Sequence, residues 1–476
     1  MSVMKRVAFN FSAEFIGRVV GTVFGLLTVG IMTRYLGVEG FGKYTTIVTF
    51  ASIFGIMADF GMVTVTSQLI NRAGIDERKY LSNLISYRAL SALVVVGLAP
   101  VLVWLFPYSY DIKLGVVIFS LSFWTYSMTQ IFVALHQKHL RTYRLALIEG
   151  LTSAFRLVAV LVASWLGWGI IGIVIAMVLT NIAVILLQWL SSRSVIKFGW
   201  AWDKLIWLEI FSLSWPLILT IISNLIYLKA DIFILSLART QQEVGLYGAA
   251  YKVVDILVSL PFIFAGLMLP ILVKLKSDAD KGKFTKATQV MFDLAALSAL
   301  PIFWGGLVLS DQIMVVIAGH DYLLSGSLLR ILLLAVVAVF FSCILTHAMV
   351  GLERQRALVP YFIVTALVSM PTYYFLIKFY GYYGAAWGTV ISEILICVFA
   401  WHGLVKSGIK ALNLRKSFRS LAAAMLMAVV IWPLAKYADS LPILLAECLL
   451  GLVVYVALAL WFKAFEKQDL AEIKGE

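Results

Sequence analysis

Charge is scarce in this sequence: only 13% of its 476 residues are Asp, Glu, Lys or Arg, against roughly 25% in a soluble globular chain. That is too little to coat a soluble surface of this size, so the apolar residues, 62% of the total, must face lipid. Cysteine is sparse as well. Cys343, Cys397 and Cys448 sit singly in separate apolar runs, which excludes a zinc spacing or a disulfide framework and makes them packing residues. Long polar connections are missing too, so no ATPase or extracytoplasmic catalytic domain fits, and the chain is not expected to be an enzyme. No cofactor or metal is expected. A cleavable leader is not expected either: Lys5 and Arg6 precede apolar sequence, but Glu14 and Arg18 interrupt it, no small-residue cleavage site follows, and apolarity continues to Met32.

Two motifs tempt and fail. Gly37 to Lys43 has the glycine-lysine part of a phosphate-binding loop, but Tyr44 replaces the Ser or Thr that would hold magnesium, and an apolar helix precedes it instead of a strand. His136 and His139 lack the pattern of a zinc hydrolase and read as solvated residues of a basic loop. The net charge of +13 is spread through short segments between apolar runs, with no basic domain, so no nucleic-acid partner is expected.

What is present is apolar runs of spanning length. About 20 residues cross a bilayer, and the chain offers candidates near 8–33, 44–69, 81–106, 113–135, 147–166, 170–192, 209–237, 246–270, 287–310, 324–350, 358–379, 385–405, 417–437 and 442–462. The expected class is an all-α integral membrane protein with about fourteen transmembrane helices. Alternate connections differ sharply in charge. With the N-terminus inside, 26 of the 38 Lys and Arg fall on the cytoplasmic side and six on the other. This predicts a multi-pass protein with both termini cytoplasmic. Trp104, Tyr108, Tyr110, Trp165, Trp168, Tyr380 and Trp387 mark the outer interface, and Phe198 to Phe211 is expected along the cytoplasmic surface.

The chain reads as a duplication. Leu36 to Tyr44 (LGVEGFGKY) and Gln241 to Tyr247 (QQEVGLY) place Gly-x-Tyr at the head of a span 203 residues apart, and Gly169 and Gly384 open spans six and twelve. Two pseudo-symmetric six-helix lobes plus a C-terminal pair follow: 1–192, a cytoplasmic interfacial linker 193–208, 209–405, and 406–476 with two further helices and a cytoplasmic tail.

Ionisable residues inside spans must pair or line a wet cavity, because each costs roughly 2.5–3.5 kcal/mol at a span centre. At 100° per residue, Asn10, Glu14, Arg18, Gly21, Gly25 and Thr28 share a face. So do Glu149, Thr152, Ser153 and Arg156; Gly248, Lys252, Asp255 and Ser259; Thr220, Ser223, Asn224, Tyr227 and Asp231; and Thr389, Ser392 and Glu393. Lys229 stands apart as a snorkelling residue. Gly17, Gly21 and Gly25 suit close packing inside the first lobe. Arg18, Arg88, Arg156, Lys252 and Arg330 are the candidate cavity cations, suited to an anionic headgroup. Glu14, Glu149, Asp231, Asp255 and Glu393 either neutralise them or bind a coupling proton or sodium ion.

Two passages, Arg34 to Met62 and Tyr227 to Tyr251 (with Asp231 and the V-G-L-Y-x-A-A-Y run), resemble polysaccharide transporters of the multidrug/oligosaccharidyl-lipid/polysaccharide exporter superfamily. Gly351 to Arg354 and Gly384 to Ala386 do so too. The resemblance implies a MATE-like fold of two lobes around a cavity. It also implies a flippase moving a lipid-linked, polyprenyl-pyrophosphate oligosaccharide across the cytoplasmic membrane by alternating access, for cell-surface polysaccharide biosynthesis. Arg18 alone matches the family's phosphate-holding pattern. Expected partners are the lipid-linked oligosaccharide and membrane lipids. A monomer is expected, with polysaccharide assembly proteins as candidate associates. Alternatives are a gradient-driven multidrug exporter of the same superfamily and a membrane-embedded glycan polymerase or ligase.

Overall fold

The computed structural model describes residues 3–464 except 60, 73, 140, 194–197, 278–280 and 410–411, and not the side chains of 3–15, 63–64, 216–228, 277 and 281. Among the described residues there is no strand. The helices are α1 (Val3–Asp59), α2 (Met62–Ile70), α3 (Glu77–Leu102), α4 (Tyr110–Lys138), α5 (Thr142–Trp165), α6 (Gly169–Arg193), α7 (Lys204–Ala238), α8 (Gln241–Ser277), α9 (Lys281–Ala318), α10 (Leu323–Gly351), α11 (Val359–Lys406), α12 (Arg415–Ile431) and α13 (Leu441–Trp461).

Ten stretches among the described residues are long and apolar enough to cross a membrane. Two of them, Ile16–Asp59 with 44 residues and Gln355–Lys406 with 52, are double length. Each is broken once, α1 at Gly37 (φ 66°) and α11 at Gly381 (φ 58°). Only glycine takes such a backbone without penalty. One residue therefore does the turning that the hydropathy pattern assigns to a longer connection. The second expected span also breaks after Asp59 and resumes as α2 beyond Gly61, whose φ is 67°. The chain is an all-α, multi-pass membrane protein.

The helices form two compact units, Met1–Gly245 and Leu246–Glu476. In the first, α1 lies on α5 and α4, α4 on α6 and α3, and α7 on α1, α2 and α3. In the second, α9 lies on α10 and α12, α11 on α10, and α13 on α12 and α9. The sequence pattern starts the second lobe at 209; among the described residues, α7 lies on α1, α2 and α3.

Two details of the first unit explain its order. Gly42 and Gly245 hold the same place in the two similar Gly-x-Tyr segments, and the helix segments carrying them cross backbone to backbone. A Cβ on Gly42 would fall 1.7 Å from the Gln241 carbonyl oxygen, and one on Gly245 2.0 Å from that of Val38. Thr46 closes the crossing with a 2.7 Å hydrogen bond to Gln241 Oε1.

The linker before α7 is strapped to α3. The amides of Gly199, Ala201 and Asp203 donate to Ser82 Oγ (3.1 Å), Ser86 Oγ (3.0 Å) and Asn83 Oδ1 (2.7 Å). Alternate amides of an extended segment point the same way, which suits acceptors one helical turn apart. The Asp203 carboxylate then caps α7 through the Leu205 amide (3.0 Å) and pairs with Lys79 (2.7 Å). Its hydrogen bond to Lys79 holds the Asp203 carboxyl below its ordinary range. Arg72 pairs with Glu209 at 2.6 Å. Trp200 and Trp202 remain exposed.

Candidate functional site

A polar face of the first unit lies where α5 meets the glycine face of α1. Gly17 brings the helices into contact: a Cβ there would sit 2.9 Å from Ala146 Cβ. At Gly21 the same position would lie 3.6 Å from Ser153 Oγ and 3.7 Å from Glu149 Oε1, and at Gly25 nothing approaches within 4 Å. The missing side chains thus open a space along α5. Thr152 returns its hydroxyl to the Ile148 carbonyl (2.7 Å), which leaves Glu149, Ser153 and Arg156 as the polar groups of that face. Glu149 is exposed and Arg156 half-buried. Arg156 is within electrostatic reach of Tyr44 and forms no ion pair with any described residue. Arg18, on the facing helix, is exposed and engaged by a neighbour. Glu14 lies outside the described side chains.

The other candidate cations are each matched to a carboxylate. Arg88 is 0% exposed. Its Nη2 donates to Asp59 Oδ1 (2.8 Å), its Nη1 to the carbonyls of Ala58 (2.6 Å) and Asp59 (2.7 Å), and its Nε to that of Ser127 (3.2 Å). It caps the broken end of α1, where helical carbonyls lose their partners. Arg330 pairs with Asp311 at 2.6 Å and donates to the Leu307 carbonyl at 3.2 Å. Lys252 lies 3.6 Å from Asp255, one turn along α8. Asp231 is buried in the first unit and Glu393 in the second, each engaged by neighbours. The structure brings Glu149 and Ser153 together beside Gly21, with Arg156 further along the same helix, and occupies Arg88 elsewhere.

Three expectations need correction. His136 is not a solvated loop residue: α4 runs on to Lys138, and the ring is fully buried between the Phe132 carbonyl (2.8 Å) and Ser191 Oγ (3.0 Å). His139 meets Glu77 at 3.1 Å. Cys448 is exposed, whereas Cys343 is buried as expected. Sequence reasoning also passed over Glu447, a single acid inside the apolar run of α13 and 6% exposed. Its isolation in that run was the available signal.

Comparison with known proteins places this architecture. A family model described as polysaccharide biosynthesis protein matches residues 7–276. The probable low-salt glycan biosynthesis flippase Agl15 of Haloferax volcanii is 22% identical over 407 residues, 82% of each chain. Among solved structures, the lipid II flippase MurJ in an inward closed conformation superposes with a TM-score of 0.76 at 16% identity, covering 94% of this chain and 97% of that one. An inward-facing multidrug resistance MATE family transporter of the MOP superfamily superposes with a TM-score of 0.68 at 15% identity, covering 82% and 95%. At these identities the structures share the fold.

Proposed function

We propose a flippase function, from the premise that this chain belongs to the polysaccharide biosynthesis protein family, whose model spans residues 7–276. Its substrate is a lipid-linked oligosaccharide, carried across the cytoplasmic membrane by alternating access for surface polysaccharide assembly. The named role of the Haloferax relative supports the class of activity. The observation that carries the site is Arg156. It is a half-buried guanidinium within a spanning helix, it lacks an ion pair among the described residues, and it lies one turn along α5 from Ser153, which faces Gly21. Holding an unmatched cation at that depth is costly, and a phosphate or pyrophosphate linking lipid to sugar would offset the cost through bidentate hydrogen bonds.

Arg18 and Arg156 form the phosphate-binding pair of this proposal. Arg88 is excluded from it, since its donors are spent on α1. Lys252 and Arg330, in the second unit, are separate candidate cations with local counter-ions, Asp255 and Asp311. Buried Asp231 and Glu393 are the carboxylates proposed for charge balance or ion coupling.

The test is translocation of a fluorescent polyprenyl-pyrophosphate saccharide in vesicles containing the full chain. Arg156→Ala should slow it about tenfold or more, the scale of one hydrogen bond to a charged group. Membrane abundance should stay unchanged, and Arg156→Lys should recover part of the rate. Normal translocation by Arg156→Ala would overturn the assignment.

A further inference from the structure

The second unit contains a groove that the flippase reading does not use. It has a volume of about 560 Å³ and runs between α9 and the terminal pair α12 and α13. Gly305, Gly306 and Gly451 line it, and Leu309, Met427 and Ile431 supply apolar wall. The size is that of a site for a small organic molecule. One wall residue is chemically out of place. Glu447 is 6% exposed, lines the groove, and has no ionic partner among the described residues; its Oε2 has no hydrogen-bond partner. The neighbouring Tyr455 cannot serve it as a donor, because its hydroxyl donates to the Leu297 carbonyl at 2.8 Å.

A groove meant only for hydrocarbon gains nothing from a carboxyl on its wall, since an unmatched polar group in apolar surroundings is costly. A carboxylate there becomes favourable when its partner arrives with the occupant. We propose that this groove is a binding site for a lipophilic amine, a molecule with one ammonium group on an apolar body, and that Glu447 is its counter-ion. The apolar walls take the body, and Glu447 accepts the ammonium hydrogens at the edge. Charge complementarity selects this occupant over an anionic lipid, which Glu447 would repel, and over a neutral chain, which would leave the carboxyl unmatched. This site is independent of the phosphate site proposed for Arg156, which lies in the other unit.

The experiment uses the full chain in lipid nanodiscs, with empty nanodiscs as the partition control. One probe is a dansyl-labelled primary alkylamine, the other its N-acetylated neutral twin. Saturable binding of the amine at least about tenfold tighter than that of the twin is expected, and Glu447→Gln should erase the difference. Gly451→Leu, which narrows the groove beside Ile431 and Met427, should weaken both probes. Equal binding of amine and twin to the unaltered chain would overturn the proposal, and this arm needs no variant that could misfold. Equal amine binding by Glu447→Gln and the unaltered chain would overturn it too. That result would leave a groove for neutral chains to which Glu447 is indifferent.

Discussion

At Arg88 the cost of a cation inside the membrane is met by the protein itself. Its guanidinium is held by three backbone carbonyls and the Asp59 carboxylate, so its charge both balances Asp59 and caps a helix end. Removing one partner of such a buried pair is expected to cost about 3–5 kcal/mol. Arg88→Met should therefore lower the thermal unfolding temperature of the purified protein sharply, and the double variant Arg88→Met/Asp59→Asn should be less destabilised than additivity requires. Unchanged stability in Arg88→Met would refute the capping role. Asp203 shows the exposed counterpart. Its folded carboxyl is depressed below its ordinary range by the hydrogen bond from Lys79. The stability it contributes is thus present above the unfolded pKa and lost as pH falls through the lower folded one. Between pH 6 and pH 3, as rough bounds on that window, the unaltered chain should lose more stability than Asp203→Asn; equal loss would count against the pair. Only part of this was legible in the sequence. Helical-face arithmetic compares residues on one helix, so it found the Glu149–Arg156 stripe and the Lys252–Asp255 pair. Asp59 and Asp311, which neutralise Arg88 and Arg330 from other helices, gave no such signal.

Among elements, the likeness of the two Gly-x-Tyr segments was readable, but their contact was not. The sequence marks Gly42 and Gly245 as equivalent positions. That each lies against the other segment's carbonyl is a tertiary fact, and the glycine is needed because backbone cannot move aside as a side chain can. Gly42→Ala and Gly245→Ala should each destabilise by about 1–3 kcal/mol or more, the scale of overpacking. Gly25→Ala, with nothing within 4 Å, should be neutral or stabilise by up to about 1 kcal/mol through helix propensity. Thermal unfolding of the three variants separates packing from propensity. Span lengths predicted the helices themselves well, because hydropathy over 20 residues is a strong signal. The breaks at Gly37, Gly61 and Gly381 were less visible, since single glycines are common inside apolar runs. The strap before α7 was invisible for another reason: its order comes from Ser82, Asn83 and Ser86 on a distant helix. Ser82→Ala/Ser86→Ala should free the segment at about 1 kcal/mol per lost hydrogen bond, read as faster proteolysis between Phe198 and Asp203. Unchanged cleavage would show the strap to be held by other contacts.

For the whole molecule, orientation decides how both proposed sites meet the membrane. Twenty-six of the 38 basic residues fall on one set of alternate connections, and the preference of Lys and Arg for the inner side predicts that this set is cytoplasmic. On that topology α5 enters from the cytoplasm at Thr142, so Arg156 lies about 21 Å along the helix, at 1.5 Å per residue. The phosphate would thus be held deep in the membrane, where an ionic contact is strongest and its absence most costly. α13 enters from the outer side at Leu441, which puts Glu447 about 9 Å along it, within reach of an amine arriving from the outer leaflet. The orientation is open to direct test. With Cys343, Cys397 and Cys448 replaced by Ser, Ser109→Cys before α4 should react with a membrane-impermeant maleimide in intact cells. Ser407→Cys after α11 should react only once the membrane is opened. The reverse pattern would invert the topology. Arg156 would then lie toward the cytoplasmic side, and Glu447 would receive its amine from the inner leaflet.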